Sequence, residues 1–295
     1  MAASTSFQAP TNSTSVLFRA WGSAISAALS AAGWVQTADT GQINWTTVTA
    51  AVSINTSAGF EVWRTNDSNT TWYLKIEYGA GAATSTPSIW LTIGTATNGS
   101  GTLSGQTSTR KQLASNANTT TQYNMIFGGG TAWFSTCCFT QNTVATAYWF
   151  WFTIERTKDT AGADADVAMM ICGGSGGSNS SFSQTVPKTG TVPTQRTYVP
   201  TPLAANSTLV SGTTVGLLPV FPQMQTTYPA ALGVMSFFYS DISTDSSTIT
   251  VSRYGSNRTY MVCKLTNSTN YNALSNVNLS SVGYNEQFAP LIRYE

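Results

Sequence analysis

Trp72, Leu74, Ile76 and Tyr78 alternate with Tyr73, Lys75 and Glu77. A period of two marks a half-buried strand, because successive side chains leave a strand on opposite faces. The pattern recurs at Ile89, Leu91 and Ile93, set between Trp90 and Thr92, and in shorter form over 60–64. Further strand candidates are 167–172, 215–221, 233–239, 247–252 and 259–266. Turn-forming clusters separate the segments, among them Thr65-Asn66-Asp67, Thr97-Asn98-Gly99 and Tyr254-Gly255-Ser256-Asn257. Residues 147–154, AYWFWFTI, are apolar at both parities, which predicts a central strand covered on each face. Many short strands joined by Gly, Asn and Ser predict a mainly β fold, an antiparallel sandwich or barrel.

One segment has a different period. Leu17, Trp21, Ile25 and Leu29 are spaced by four and continue to Ala32, which predicts an α-helix over 15–32 packed on a sheet. Ser13 or Ser15 suits its N-cap, and Gly33 stands where a C-terminal stop belongs. The opposite face, Ser23, Ser26, Ala27 and Ser30, is small and uncharged, so it too can pack.

All nine tryptophans lie between Trp21 and Trp151, and eight of the ten prolines between Pro187 and Pro290. This shift divides the chain into a Trp-rich helix-plus-sheet region (1–172), a Gly/Ser/Pro-rich stretch (173–214) and a C-terminal β region (215–295) that either stands alone or completes the same sandwich. Pro187, Pro193, Pro200 and Pro202 favour extension, so the middle stretch reads equally as a surface loop or as an arm along a neighbouring subunit.

Charged residues are 8% of the chain, against roughly 25% in an ordinary domain. With a formal net charge of +1, such a surface favours association and suits burial against neighbours. It does not suit nucleic acid, which needs clustered cations; the longest basic run is Arg110-Lys111. No apolar run approaches the roughly 20 residues needed to span a bilayer, so membrane insertion is not expected. The opening MAASTSFQAPTNSTS has no secretory pattern, and synthesis in a cytoplasm is expected. Cys137, Cys138, Cys172 and Cys263 lack metal-ligand spacing and read as small buried hydrophobes; on a strand, Cys137 and Cys138 point to opposite faces.

There is no histidine, so a Ser-His-Asp or Cys-His arrangement is impossible. Gly173-Gly174-Ser175-Gly176-Gly177 matches a nucleophile elbow in spelling, but no helix pattern and no base follow. Gly99-Ser100-Gly101 through Gly105 reads as a hairpin connection, and Gly128-Gly129-Gly130 as a turn. Asp159, Asp164 and Asp166 are weak candidates for a cation site, set against a solvated hairpin loop. Glu61 and Glu77 lie beside aromatics and could flank a sugar; pairing with Arg64 or Lys75 on the solvent face is the stronger expectation. Trp63, Trp72, Trp90, Trp149 and Trp151 read first as core or subunit interface, and second as a platform for a host surface glycan. No cofactor is expected.

The run Phe18-Arg19-Ala20-Trp21-Gly22-Ser23-Ala24-Ile25-Ser26, continued by Gly33-Trp34-Val35-Gln36-Thr37-Ala38-Asp39-Thr40-Gly41-Gln42-Ile43-Asn44-Trp45, resembles the N-terminal segment of virion structural proteins of tailed bacteriophages. Phe150-Trp151-Phe152-Thr153-Ile154-Glu155-Arg156-Thr157-Lys158-Asp159, followed by Gly162-Ala163-Asp164, is similar to a strand and turn of the same group. The resemblance implies a multi-copy particle component located in the virion, whose partners are copies of itself and other virion proteins. It carries over no catalytic residue. A tail or baseplate position is the first expectation; capsid decoration and glycan-binding receptor recognition are the alternatives.

Overall fold

The computed structural model describes residues 2–7, 15–49, 53–81, 87–113, 123–140, 149–158, 163–174, 181–188, 206–208, 214–219, 238–240, 248–253, 256–262 and 289–294. The chain opens with β1 (Ala2–Phe7), α1 (Ser15–Ala31), β2 (Val35–Gln36), β3 (Ser57–Arg64), β4 (Tyr73–Ala80), β5 (Pro87–Thr97), β6 (Leu103–Thr107) and β7 (Lys111–Leu113). It continues with β8 (Tyr123–Gly130), β9 (Trp133–Thr140), β10 (Trp149–Lys158), β11 (Asp164–Gly174) and β12 (Ser181–Pro187). The last strands are β13 (Asn206–Thr208), β14 (Thr214–Pro219), β15 (Phe238–Ser240), β16 (Thr248–Arg253), β17 (Ser256–Val262) and β18 (Ala289–Arg293). The first sheet has the order β1-β8-β9-β10-β11-β12, the second β2-β3-β4-β5-β6 with β7 also on β5, and the third β13-β14-β15-β18-β17-β16.

The first two sheets and the helix share one core. Leu74, Ile76 and Tyr78 of β4 and Ile89, Leu91 and Ile93 of β5 join Phe134, Phe150, Phe152, Ile154 and Met170 in a single buried cluster. The fold is therefore mainly β, antiparallel and sandwich-like, with the N-terminal helix packed on it, as the alternation predicts. Phe18, Trp21, Ile25 and Leu29 of α1 have no exposed surface. Trp21 meets Tyr78 of the second sheet edge-on at 5.9 Å and Phe150 of the first at 6.4 Å, so one indole bridges both layers. The helix ends as Gly33 predicts. Trp34 N–H donates to Leu29 O at 3.1 Å and Gly33 N–H to Ser30 O at 3.0 Å, a paired C-cap with Gly33 at φ 94°. No helix of the described residues is long and apolar enough to cross a membrane.

β10 behaves as a central strand. Phe150, Phe152 and Ile154 face the shared core, while Trp151, Thr153 and Glu155 face the other way and are buried too. Cys138 lies in the shared core and Cys137 on the opposite face, both fully buried. β18 of the third sheet lies against β8, β9 and β10.

Two local expectations change. Gly128, Gly129 and Gly130 complete β8, and the turn falls at 131–132. Gly173 and Gly174 end β11, which pairs antiparallel with β12, while 175–180, the rest of the GGSGG run included, lie outside the described residues. The boundary drawn at residue 172 lies inside β11, and the first sheet runs on through β12. Most of 173–214, including its arm-or-loop reading, lies outside the described residues.

Replacing Trp21 by Ala removes the ring that joins helix and both sheets. The expected cost is about 3–5 kcal/mol, read as a lower denaturant midpoint with an unchanged slope.

Candidate functional site

Polar groups gather at four places, each where separate elements meet. The deepest is Glu61. Its residue pairs with Ile76, and it faces inward beside Trp63 with 1% of its surface exposed. Ser26 Oγ of α1 donates to Oε1 at 2.8 Å and Trp45 Nε1 to the same oxygen at 2.9 Å. Tyr78 Oη donates to Oε2 at 2.7 Å and Trp63 Nε1 at 3.2 Å. Glu61 thus sits among four neutral donors rather than beside Arg64 or Lys75 on the solvent face. Residues 42–43 cover the far side of β3: Gln42 Oε1 accepts from Val62 N–H at 2.8 Å, and Ile43 N–H donates to Phe60 O at 2.8 Å. Burial, followed by the adjoining Glu61 charge, pushes the Tyr78 phenol well above its ordinary 10.0, so it remains a proton donor. Glu77 follows the expectation: it faces outward, 4.0 Å from Lys75, and takes a two-point contact from Arg110 at 2.7 and 3.2 Å.

The second place is Asp39. It accepts from the Thr37 hydroxyl at 2.6 Å, from the Thr97 hydroxyl, and from Gly101 N–H at 2.8 Å. Gly101 has φ 83°, and a Cβ there would fall 2.1 Å from the Phe60 ring, so the turn that delivers this N–H requires glycine. Burial alone would raise the Asp39 carboxyl; the hydrogen bonds from Thr37, Thr97 and Gly101 outweigh it and hold the group below its ordinary 3.8.

The third place joins the two core sheets. Arg156, 2% exposed, grips Asp67 at 2.8 and 2.9 Å and also donates to Thr70 O. Beside it, Asn69 Nδ2 donates to Asp164 Oδ2 at 2.8 Å and Thr70 Oγ1 to Asp166 Oδ1 at 2.6 Å. Lys188 lies 3.7 Å from Asp166. The Thr70 hydroxyl holds the Asp166 carboxyl below its ordinary value, with Lys188 and Arg156 adding to the effect. Asp164 and Asp166 therefore tie the β3–β4 loop to the first sheet; Asp159 lies outside the described residues. Among the described residues no three His, Cys, Asp or Glu side chains are grouped to hold a metal ion.

The fourth place joins the third sheet to the first. Arg293 approaches Glu155 at 3.1 Å and lies 4.0 Å over the Trp133 ring, and Arg258 approaches Glu155 at 3.6 Å. Glu155 is 4% exposed, so a carboxylate buried on the outer face of β10 is neutralised by two guanidinium groups from β17 and β18.

Trp63, Trp72, Trp90 and Trp151 are each no more than 3% exposed. Trp63 and Trp72 belong to the shared core, Trp90 lies under the Arg110 guanidinium at 4.8 Å, and Trp151 is on the outer face of β10. None of the four offers a free ring face on which a sugar could stack. Trp149 begins β10, and its side chain is outside the described residues. Burial pushes the Cys172 thiol up to about 12 and the Cys138 thiol well above 9.0, so both stay protonated and inert at neutral pH. Cys263 lies outside the described residues.

Glu61→Gln places an NH2 group against donors and orphans two of them. The expected loss is about 2–6 kcal/mol in denaturant unfolding, at about 1–3 kcal/mol for each of the two unsatisfied buried groups. Asp39 contributes stability that is present above the unfolded carboxylate value, near 3.9, and disappears as pH falls through its lower folded value. Thermal scans from neutral pH downward should show wild type and Asp39→Asn converging only below about pH 4.

Compared with protein-family models, curated proteins and solved structures, the chain matches none.

Proposed function

We propose that this chain is a structural component of a bacteriophage virion, associated with the tail or baseplate, which works by packing against copies of itself and other virion proteins. The observation that carries the reading is where its few charges lie. The sequence holds 13 basic and 12 acidic residues, and Asp39, Glu61, Glu155, Arg156 and Arg258 are buried in the fold. Asp67, Glu77 and Arg293 are also occupied in ion pairs. Charged residues are only 8% of the chain and the formal net charge is +1, so these eight engaged groups come out of an already small store of charge, and the chain has little repulsion to keep its copies apart. On α1 the exposed positions Ala20, Ala27, Ser30 and Ala31 are small and uncharged, and let another backbone approach closely. The resemblance of 18–45 and 150–164 to phage virion proteins points the same way.

Glu61, Asp39, Arg156 and Glu155 are each engaged in holding separate elements together, which fits a subunit whose work is shape. Particles purified from lysed host cultures should contain the chain, counted by quantitative mass spectrometry against the major capsid protein. A few to tens of copies support the tail or baseplate; hundreds would move the assignment to capsid decoration. A chain that stays in the soluble fraction as a monomer would overturn the particle reading.

A further inference from the structure

The first sheet distributes its charges in an unusual way. Glu155, Arg156 and Lys158 are on β10, and Asp164 and Asp166 on β11, both interior strands. The two edges, β1 with sequence AASTSF and β12 with SFSQTVP, carry none. Edge strands in proteins that live alone are normally protected by charge, bulges or proline, because an open row of N–H and C=O groups invites another strand. Here β1 pairs with β8 over six consecutive positions without a bulge, and β12 with β11 over seven. The only proline on either edge is Pro187, at the last position of β12. Among the described residues no strand pairs with the outer side of β1 or of β12.

We infer that copies of this chain join head to tail, β12 of one against β1 of the next, so that the first sheet continues from subunit to subunit. Strand direction supports this mode. Every pairing in the six-stranded sheet is antiparallel, so β1 and β12 run in opposite directions. A neighbour in the same orientation therefore meets β12 with an antiparallel β1 and keeps its core face on the same side. A two-fold β1–β1 contact would leave both β12 edges open; the head-to-tail contact satisfies both edges with one interface, and closes into a ring wherever the rotation permits.

The inference rests on the assembly reading for its partner, a second copy of this chain, and is tested on the full-length protein. A Ser4→Cys/Thr185→Cys double variant, whose two positions have the same strand parity in the continued sheet, treated with a short bismaleimide should give a ladder of covalent dimers, trimers and larger species. Each single variant, and wild type, should give only background. Covalent dimers from Ser4→Cys alone, or no ladder from the double variant, would overturn the head-to-tail contact. As a second measurement, Ser4→Lys/Thr185→Lys should lower the oligomeric fraction in light scattering about tenfold; unchanged assembly of a variant that still unfolds cooperatively would count against the inference. Particles that hold the chain but yield no ladder would remove the edge contact alone. A ladder from purified chain that is absent from particles would remove the particle reading and leave the contact standing.

Discussion

A carboxylate buried without a cation is among the costlier things a protein interior can hold, and it is tolerated only when its lone pairs are filled. Glu61 meets that condition through a serine of α1, an indole from the loop before β3, a neighbouring indole on its own strand and a phenol from β4. The requirement is mutual. The helix cannot shift along the sheet without stripping Ser26 from the carboxylate, and the 37–49 loop cannot lift without removing Trp45. The position of α1 in turn sets Trp21 between Tyr78 and Phe150, and so the separation of the two core sheets.

The other polar contacts extend the same logic outward. Arg156 and Asp67 fasten the β3–β4 loop to β10, and Trp34 donates its indole N–H to Gly130 O at 3.0 Å, so the second sheet is attached to the first at two separated points. Buried ion pairs of this kind add little net stability compared with apolar packing, but breaking one partner away costs about 3–5 kcal/mol. They work as registers: each specifies which loop meets which strand in a chain whose apolar surfaces alone would tolerate sliding.

The parts legible in the sequence were those with an internal period. α1 announces itself by Trp21, Ile25 and Leu29, β4 and β5 by strict alternation, and β10 by apolar residues at both parities. β1, β6 and β12 carry small polar residues with no such rhythm, and they become strands because a neighbour supplies hydrogen bonds. Glu61 was misplaced because Phe60, Val62 and Trp63 are apolar on both sides of it, and nothing within the strand tells that Ser26, Trp45 and Tyr78 will bring donors to its carboxylate. Asp164 and Asp166 lie two residues apart, whereas their partners Asn69 and Thr70 lie 95 and 96 positions away. Local sequence can show acids together; it does not show which distant hydroxyl or amide will claim them.

Glu155 and Arg293 are 138 residues apart. A ribosome elongating at 5–20 residues per second needs about 7–28 s to make that stretch. Throughout this interval the nascent chain holds the Glu155 carboxylate and the Trp133 ring without the guanidinium groups that will meet them. The first sheet must therefore mature in two stages, with its inner side closed early by the helix and its outer side waiting on translation. That delay opens a window in which newly made molecules can meet before each has sealed itself.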